Sequence, residues 1–165
     1  METHQQYKAR IVGLMEGKDP ISVQRETPAR LTELMQAAPA EKLSRRPAAD
    51  RWSVGEILAH LSEAEITASW RYRQMLEHDN PVLLGFDQEK WAELGDYRSW
   101  TAKDALETFR LLREANLRML HRLTPEEWKR PGQHIERGRI TVRELARHMA
   151  AHDINHIKQI EALLA

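Results

Sequence analysis

The chain has 165 residues, in which 25 lysines and arginines balance 25 aspartates and glutamates, and it contains no cysteine. That length suits one domain with its own core. The missing cysteine excludes disulfides, thiolate metal ligands and a cysteine nucleophile, so any metal must be held by His, Asp or Glu. The zero net charge argues against a nucleic-acid partner, for which a basic face is the usual footprint.

Nothing in the sequence predicts a membrane or secretion segment. No window approaches the roughly 18 apolar residues that a membrane span requires. Residues 1–10 are polar and lack the apolar run of a secretion signal. Arg45, Arg46 and Arg51 lie close together, and we interpret them as solvated loop charges rather than as a nucleic-acid patch. We therefore expect a cytoplasmic protein with neither a membrane nor a nucleic acid as partner.

The first predicted helix opens near Thr27 and Pro28, a cap followed by proline at the first helical position. It ends before Pro39. Whether residues 21–26 extend it is left open, because Pro28 would then lie inside the helix and distort it. Its apolar residues recur at helical spacing: Leu31, Leu34 and Met35.

The second predicted helix begins at Ser53, which forms a capping box with Glu56, and it runs to about residue 78. Its apolar face consists of Val54, Ile57, Leu61, Ala64 and Ala68. Residues 81–100 look irregular, with a short helix predicted at residues 88–93.

Two further helices are predicted in the second half of the chain. Thr101 and Asp104 open the third helix, and Thr141 and Glu144 open the last one. A glycine-containing loop at residues 131–138 precedes the last helix. An inward seam on that helix advances in steps of three and four residues: Val142, Leu145, Met149, His152, His156, Gln159 and Leu163.

These elements predict an all-α fold. We find no convincing strand and therefore expect no sheet, and four long helices with long connections predict a four-helix bundle. The bundle domain is expected to span residues 20–165, with residues 1–19 as an N-terminal extension that is part of the bundle or packs on it. A faint repeat relates residues 53–60 to residues 141–148, each a capped helix start with histidine at the eighth position. Chance or shared capping chemistry would give the same likeness.

Histidines are concentrated on the last predicted helix, where His148, His152 and His156 are spaced four residues apart. Residues with this spacing share a helix face, with β-carbons about 5–6 Å apart, so two imidazoles can bind one metal ion. A third ligand must come from another helix, and His60 leans towards the apolar face of the second one. His60, His152 and His156 are therefore the predicted ligands of one divalent metal, with a coordination position left for water or substrate.

The choice of the pair on the last helix rests on the seam. His156 lies on the inward seam, whereas His148 lies one position off it and is predicted to flank the site. The repeat argues the other way, because it aligns His60 with His148. The alternative explanation is that these histidines are hydrogen-bonded residues of the core and bind no metal. If the metal reading holds, binding should weaken as the pH falls through about 6.5, because imidazole ligands must be neutral.

Two motifs resemble the DinB/YfiT-like superfamily. They are residues 51–61, which read RWSVGEILAHL, and residues 148–160, which read HMAAHDINHIKQI; residues 85–88, GFDQ, are also similar. The likeness covers residues 20–164 and implies a four-helix bundle whose metal ligands map onto His60, His152 and His156. Many members carry a second histidine before the last ligand. Asn155 stands there in this chain, a departure that should leave the metal site intact.

The resemblance also implies a set of partners and activities. Members are often dimers. They include thiol S-transferases that use bacillithiol or mycothiol, isomerases that need mycothiol, and proteins described as metal-dependent hydrolases. We therefore expect a homodimer, a small-molecule substrate and one divalent metal ion. Zinc or nickel is the first choice of metal, and iron or manganese the second. Apolar positions left over on the first and third helices also favour a dimer.

The leading functional hypothesis is a metal-dependent transferase that acts with a low-molecular-weight thiol. A bound dication would lower the pKa of the thiol, which must be a cosubstrate because the chain has no cysteine. The alternative is a hydrolase in which the metal activates water. Its general base would be Glu56, Glu63 or Asp153. Glu56 is better explained by its capping box, and Asp153 could instead orient an imidazole, so Glu63 and Asp153 are the catalytic candidates.

A third hypothesis is a non-catalytic, stress-related binding protein in which the metal only stabilises the bundle. It predicts a site that is closed off by tryptophans, whereas an enzyme needs an accessible fourth coordination position. The candidates for such a cover are Trp52, Trp70, Trp91 and Trp100. Packing within the core or between helices is the other explanation of these side chains.

Overall fold

The computed structural model describes residues 13–165. The helices in this part of the chain are α1 (Pro20–Ala37), α2 (Ala40–Ser44), α3 (Val54–Glu77), α4 (Gln88–Leu94), α5 (Ala102–Leu120) and α6 (Val142–Leu164). Helix α3 packs along α5 and α1 packs along α6, with further contacts between the two pairs. The predicted all-α four-helix bundle is confirmed. The division at residue 20 stays a prediction, and residues 1–12 lie outside the described residues.

Side-chain caps determine where three of the long helices begin. Ser53 and Thr141 form complete capping boxes with Glu56 and Glu144, and the hydroxyl of Thr101 accepts a hydrogen bond from the backbone of α5. Each cap provides an acceptor for amide groups that a helix start leaves without an internal partner. The predicted starts of α3, α5 and α6 are therefore confirmed.

Helix α1 begins earlier than predicted. Its first residue is Pro20, and the carboxylate of Asp19 caps it by accepting a 2.7 Å hydrogen bond from the amide of Ser22. Thr27 is not a cap but a buried residue inside the helix, and Pro28 follows it there. The extension over residues 21–26, which the sequence left open, is therefore present, and Pro20 rather than Pro28 occupies the first helical position.

A small sheet is the main departure from the prediction, and the expectation of no strand is wrong. The strands are β1 (Val82–Leu83), β2 (Pro131–His134) and β3 (Gly138–Thr141). Strand β2 lies in the centre, parallel to β1 and antiparallel to β3, so the predicted loop at residues 131–138 is a hairpin. Strands of two to four residues are too short to show the alternation by which strands are recognised.

Two glycines and an arginine fix this hairpin against the end of α3. A β-carbon on Gly132 would lie 2.7 Å from Cδ1 of Leu83 and 3.0 Å from Cγ of Met75. Gly138 adopts a φ of +73°, a left-handed conformation that glycine reaches without strain. Nε of Arg130 donates a 2.7 Å hydrogen bond to the backbone carbonyl of Met75. The sheet is therefore held directly on one end of the bundle.

Two large apolar clusters fill the bundle, one containing Leu58 and Phe109 and the other containing Tyr72 and Leu145, and a third, small cluster contains Met15. Along α3, α5 and α6, buried polar side chains lie between the two clusters. They are His60, Glu65, Arg113, Asn116, His152, Asp153 and His156. This polar layer contains the candidate site.

Candidate metal centre

His60 of α3 meets His152 and His156 of α6 in the polar layer. Nε2 of His152 lies 3.0 Å from Nε2 of His60 and 3.1 Å from Nε2 of His156. All three side chains are buried, and the ligand atoms that they offer lie within 4.8 Å of one another. We call these three residues the histidine triad. The structure brings the predicted ligands together in a group that could hold a metal ion.

Coordination of a cation would satisfy the three Nε2 atoms better than hydrogen bonds among the rings can. An imidazole nitrogen carries either one hydrogen or one lone pair, so Nε2 of His152 cannot both donate and accept. Nδ1 of His156 lies 2.9 Å from the side-chain oxygen of Gln159, to which it donates. That bond leaves a lone pair on Nε2 of His156. Nitrogens at about 2.0–2.1 Å from a tetrahedral zinc are roughly 3.3 Å apart, close to the separations seen here.

Burial keeps the triad neutral, which is the state that a metal ligand requires. Burial, with a smaller contribution from His156, lowers the pKa of His60 to about 3, and burial lowers that of His156 to about 4. Burial and the neighbouring histidines also lower the pKa of His152 well below its usual value. Because of this burial, we now expect protons to compete with a metal at His156 nearer pH 4 than the pH of about 6.5 expected for an exposed imidazole.

Neighbouring rings orient the two imidazoles whose second nitrogen is not hydrogen-bonded. Nδ1 of His60 and Nδ1 of His152 are buried and have no hydrogen-bond partner among residues 13–165. The ring of Trp52 lies 5.2 Å from that of His60, and the ring of His148 lies 6.2 Å from that of His152. Because ligand imidazoles are usually aligned through their second nitrogen, packing has to align these two rings.

His148 flanks the histidine triad but does not join it. Its Nε2 lies 2.8 Å from Nη2 of Arg137, and it is not part of the group of converging ligand atoms. The geometry therefore agrees with the seam, which favoured His156, and not with the repeat, which favoured His148. Asn155 is half-buried on α6. That the triad binds a metal, with His148 and Asn155 around it, stays a prediction.

The carboxylates of Glu56 and Glu63 are engaged by other partners. Glu56 accepts a 2.9 Å hydrogen bond from the amide of Ser53, which confirms its capping role, and a 2.8 Å bond from Nε of Arg46. Arg46 is thus an ion-pair partner and not the solvated loop charge that we expected. Glu63 accepts a 2.6 Å hydrogen bond from the hydroxyl of Tyr97. Neither carboxylate joins the histidine triad.

Asp153 belongs to a buried charge cluster, which we define as Arg113, Asp153 and Glu65. Arg113 donates to both oxygens of Asp153, at 2.6 and 2.9 Å, and to Oε1 of Glu65 at 2.8 Å. Burial acts to lower the pKa of Arg113, but the two carboxylates outweigh it and raise that pKa. Burial raises the pKa of Asp153 against the opposing effect of Arg113. Its partners are Arg113 and Thr27, not an imidazole, so it does not orient a ligand ring as proposed.

Sequence reasoning missed Arg113 and Glu65, although a signal was present. On α5, Phe109, Arg113, Asn116 and Leu120 advance in steps of four, three and four residues, and all are buried. This is the seam rule that identified the inward face of the last helix. A charged residue on such a seam indicates a buried ion pair, and applying the rule to α5 would have revealed Arg113.

The tryptophans do not form a common cover over the histidine triad. Trp52 lies against His60, whereas Trp70 is 64 % exposed. Trp91 stacks on a phenylalanine with ring centroids 4.5 Å apart, and Trp100 donates its indole N–H to a loop carbonyl at 3.0 Å. Among the tryptophans that the structure describes, only Trp52 therefore has a ring contact with the triad.

The fold and the site together define a four-helix-bundle protein with a buried histidine triad that could hold a metal ion. The sequence profile of the DinB superfamily matches residues 25–160, and the chain belongs to that superfamily. The predicted resemblance is confirmed. Within residues 13–165, no helix is both long enough and apolar enough to span a membrane.

The chain is similar to relatives of known sequence and to one solved structure. A "putative metal-dependent hydrolase" of Oceanobacillus iheyensis is 28 % identical to this chain. The match covers 68 % of this chain and 64 % of the length of that relative. YfiT of Bacillus subtilis is also described as a putative metal-dependent hydrolase. It is 26 % identical to this chain, and the match covers 96 % of this chain and 90 % of the length of YfiT. The solved structure of YfiT matches with a TM-score of 0.80 at 22 % identity, over 98 % of this chain and 87 % of that one. At this identity the structural likeness shows the fold alone.

Proposed function

We propose that this protein is an enzyme that depends on one divalent metal ion held by His60, His152 and His156. The observation that carries the proposal is the convergence of three buried Nε2 atoms on one point. Imidazole ligands suit zinc or nickel first, with iron or manganese as the second choice. The description of the relatives as metal-dependent supports the same conclusion.

Three protein ligands leave a coordination position in which a small molecule can bind. The histidine triad would hold the cation, which when bound would supply the chemistry of lowering the pKa of a water or a thiol in that position. The imidazoles contribute by remaining neutral, because burial lowers the pKa of His60 and of His156. Trp52 contributes by orienting the ring of His60 and covering one side of it.

A low-molecular-weight thiol of the bacillithiol or mycothiol type is our first choice of nucleophile. Among residues 13–165, no carboxylate joins the triad, and the three candidate bases have other partners. Water needs a base to remove its proton, whereas a thiol ionises far more readily. In the proposed reaction the thiolate sulfur forms a bond to an electrophilic carbon, and the leaving group departs with the electron pair. The thiol proton goes to solvent.

Hydrolysis is the second candidate, and the names of the relatives favour it. Glu63 is the better candidate for the general base, because it follows His60 by three residues on α3 and so lies on the same side of the helix. Its hydrogen bond from Tyr97 would have to open during the reaction. Asp153 is less suited, because Arg113 bonds to both of its carboxylate oxygens.

The test starts from protein purified without a histidine tag, because a tag binds the same metals. Bound metal is identified by mass spectrometry, and protein loaded with zinc, nickel, iron or manganese is assayed in two ways. One assay follows alkylation of bacillithiol or mycothiol by monochlorobimane, with loss of chloride, and the other follows hydrolysis of nitrophenyl esters without thiol. His152→Ala is the test variant, and His78→Ala, at an exposed histidine, is its matched control.

The transferase proposal expects thiol alkylation that chelator abolishes, that added metal restores, and that His152→Ala removes while His78→Ala does not. Ester hydrolysis with the same metal and histidine dependence, and no thiol alkylation, would replace it by the hydrolase. If the protein binds metal but is inactive in both assays, the remaining hypothesis is a non-catalytic binding protein that the metal stabilises.

The homodimer is part of the proposal as well, on the strength of the superfamily resemblance. Light scattering should give a mass of twice 19.2 kDa. A mass of 19.2 kDa that persists at high protein concentration would contradict the dimer.

A further inference from the structure

The rings of His60 and His156 are held in different ways. Nδ1 of His156 is hydrogen-bonded to Gln159, whereas Nδ1 of His60 is buried and has no hydrogen-bond partner among residues 13–165. A ligand imidazole is usually aligned through its second nitrogen. The ring of Trp52 lies 5.2 Å from that of His60 at an angle of 47°, and so provides an aromatic contact from outside the histidine triad. The orientation of His60 therefore depends on packing, and on the residues that hold Trp52.

Tyr97 is a second aromatic neighbour of Trp52. The two rings meet edge to face, with centroids 5.9 Å apart and an angle of 70° between their planes. Tyr97 is buried, and its hydroxyl donates a 2.6 Å hydrogen bond to Oε2 of Glu63. Burial, together with this bond, raises the pKa of Tyr97, so the hydroxyl keeps its proton and remains a donor. Glu63 therefore fixes the position of the ring that packs against Trp52.

These contacts return to the helix from which they start. Glu63 follows His60 by three residues on α3, so the two side chains leave the same side of the helix. Trp52 directly precedes Ser53, the cap of that helix. The path from His60 to Glu63, through the two aromatic rings, is therefore closed. Each of the two aromatic rings is restrained by two neighbours along this path.

The backbone before Tyr97 adopts an unusual conformation and approaches the side chain of Glu63 closely. Asp96 has a φ of +43°, a left-handed conformation that is costly for a residue other than glycine. A β-carbon on Gly95 would lie 2.9 Å from Oε1 of Glu63 and 3.1 Å from Cε1 of Tyr97, so a larger residue would displace the hydrogen-bonded pair. Strained positions of this kind persist where the surrounding contacts fix them.

We infer that Glu63 and Tyr97 are positioning residues for the His60 imidazole. They act through the indole of Trp52, whose position against His60 they fix. The inference rests on the proposed function, and it assigns Glu63 a role other than that of general base. The competing explanation is that the hydrogen bond only ties the segment between α4 and α5 to α3. In that case, breaking the bond lowers stability but leaves the ring of His60 and the affinity for metal unchanged.

Tyr97→Phe removes the hydrogen bond and keeps the ring. Zinc affinity is measured on the untagged full chain by competition with a chromophoric chelator, and the visible absorption of bound cobalt reports the geometry of its ligands. Tyr97→Phe should weaken zinc binding by about tenfold, as for the loss of a group that orients a ligand, and should change the cobalt bands. Tyr72→Phe is the matched control and should change neither. Tyr72 is as buried as Tyr97, but its hydroxyl has no hydrogen-bond partner in the described part of the chain.

Two substitutions of Glu63 separate positioning from proton transfer. Glu63→Gln keeps an oxygen that accepts the hydrogen bond but cannot act as a base, so it should retain the zinc affinity and the cobalt spectrum of the parent. Glu63→Ala removes the acceptor and should have the same effect as Tyr97→Phe. Because Glu63 is half-buried, Glu63→Ala also serves as the test if Tyr97→Phe fails to fold. Equal losses in Glu63→Gln and Glu63→Ala would contradict a role that depends on the hydrogen bond.

A double variant tests whether the effect passes through Trp52. Trp52→Leu should weaken zinc binding at least as much as Tyr97→Phe, because it removes the contact with His60 itself. Adding Tyr97→Phe to Trp52→Leu should weaken binding further by less than about twofold, since the two changes interrupt one path. Effects that multiply in the double variant would show that Tyr97 does not act through Trp52, and would overturn the inference.

The outcomes separate this inference from the proposed function. A Tyr97→Phe variant that is less stable in urea but binds zinc and cobalt like the parent would overturn the inference and keep the metal centre. If the parent binds no metal, the proposed function fails, and the ring signals of His60 in the proton NMR spectrum decide the inference. Because the ring current of an indole shifts the signals of nearby protons, Tyr97→Phe should move these signals and Tyr72→Phe should not. Unmoved signals would overturn the positioning role.

Discussion

Two buried polar groups lie side by side in this bundle, and their interactions differ in kind. His152 and Asp153 are consecutive on α6, yet His152 contacts His60 of α3 and Asp153 contacts Arg113 of α5. The charge cluster contains opposite charges that satisfy one another. The histidine triad contains three neutral rings whose nitrogens face one another without a counter-charge. Paired opposite charges give a buried cluster a structural role, whereas converging neutral imidazoles suit a cation.

Further hydrogen bonds make the charge cluster a link between the four long helices. Arg113 also donates to the backbone carbonyl of Gln24 of α1 at 2.9 Å, and Asn116 donates to Oε2 of Glu65 at 2.9 Å. The cluster therefore connects α1, α3, α5 and α6 in one network. Networks of this kind stabilise a single packing arrangement when their members are satisfied.

The largest effect is expected from breaking the charge cluster. Arg113→Met should lower the free energy of unfolding by about 3–5 kcal/mol, because it leaves two carboxylates buried without their cation. Urea denaturation measures the change. Arg110→Met, an exposed arginine on the same helix, is the control and should change little, because surface ion pairs contribute little. A parent-like stability of Arg113→Met would show that the cluster does not hold the bundle together.

Adding the divalent metal that the triad is proposed to bind should have the next largest effect. At a free metal concentration of 100 times Kd, the parent should gain about 2.7 kcal/mol in the free energy of unfolding. His152→Ala should gain nothing, and an Arg113 variant that still folds should gain as much as the parent, because its triad is intact. If metal stabilises His152→Ala as much as it stabilises the parent, the ion binds outside the histidine triad. The proposed difference between the triad and the charge cluster would then be wrong.

The smallest effect is the pH dependence of the metal-free protein. The folded-state pKa of His156, about 4, lies below the unfolded value of about 6.5, so the unfolded chain binds the additional proton between these values. Stability is therefore full above pH 6.5 and falls as the pH decreases towards 4. His156→Gln should reduce this slope by at most about 1.4 kcal/mol per pH unit, measured by urea denaturation with chelator. His121→Gln, at an exposed histidine, is the control. Equal slopes in His156→Gln and the parent would contradict the buried, neutral state of His156.

The parts of the molecule that were predictable from sequence depend on short-range signals. Ser53 and Thr141 mark the starts of α3 and α6 because a capping box is complete within four residues. The seam of α6 likewise places His152 and His156 on one inward face. Two prolines eight residues apart left the start of α1 undetermined, since either could occupy the first helical position.

The parts that were not predictable depend on contacts between distant segments. The strands are too short for periodicity, and the hairpin exists because Gly132 packs against Leu83 and Arg130 bonds to the end of α3. Arg113 is an intermediate case, because its seam was readable but its partners lie on other helices.

Metal titration of the parent and four single variants tests the central claim most directly. With the protein free of any tag, His60→Ala, His152→Ala and His156→Ala should each weaken zinc binding by about a hundredfold or more, since each removes a ligand. His148→Ala should weaken it by less than about tenfold, because His148 only packs against His152. A variant series in which His148→Ala loses the metal and His156→Ala keeps it would show that the wrong pair was chosen. If all four variants bind zinc like the parent, the histidine triad is not a metal site.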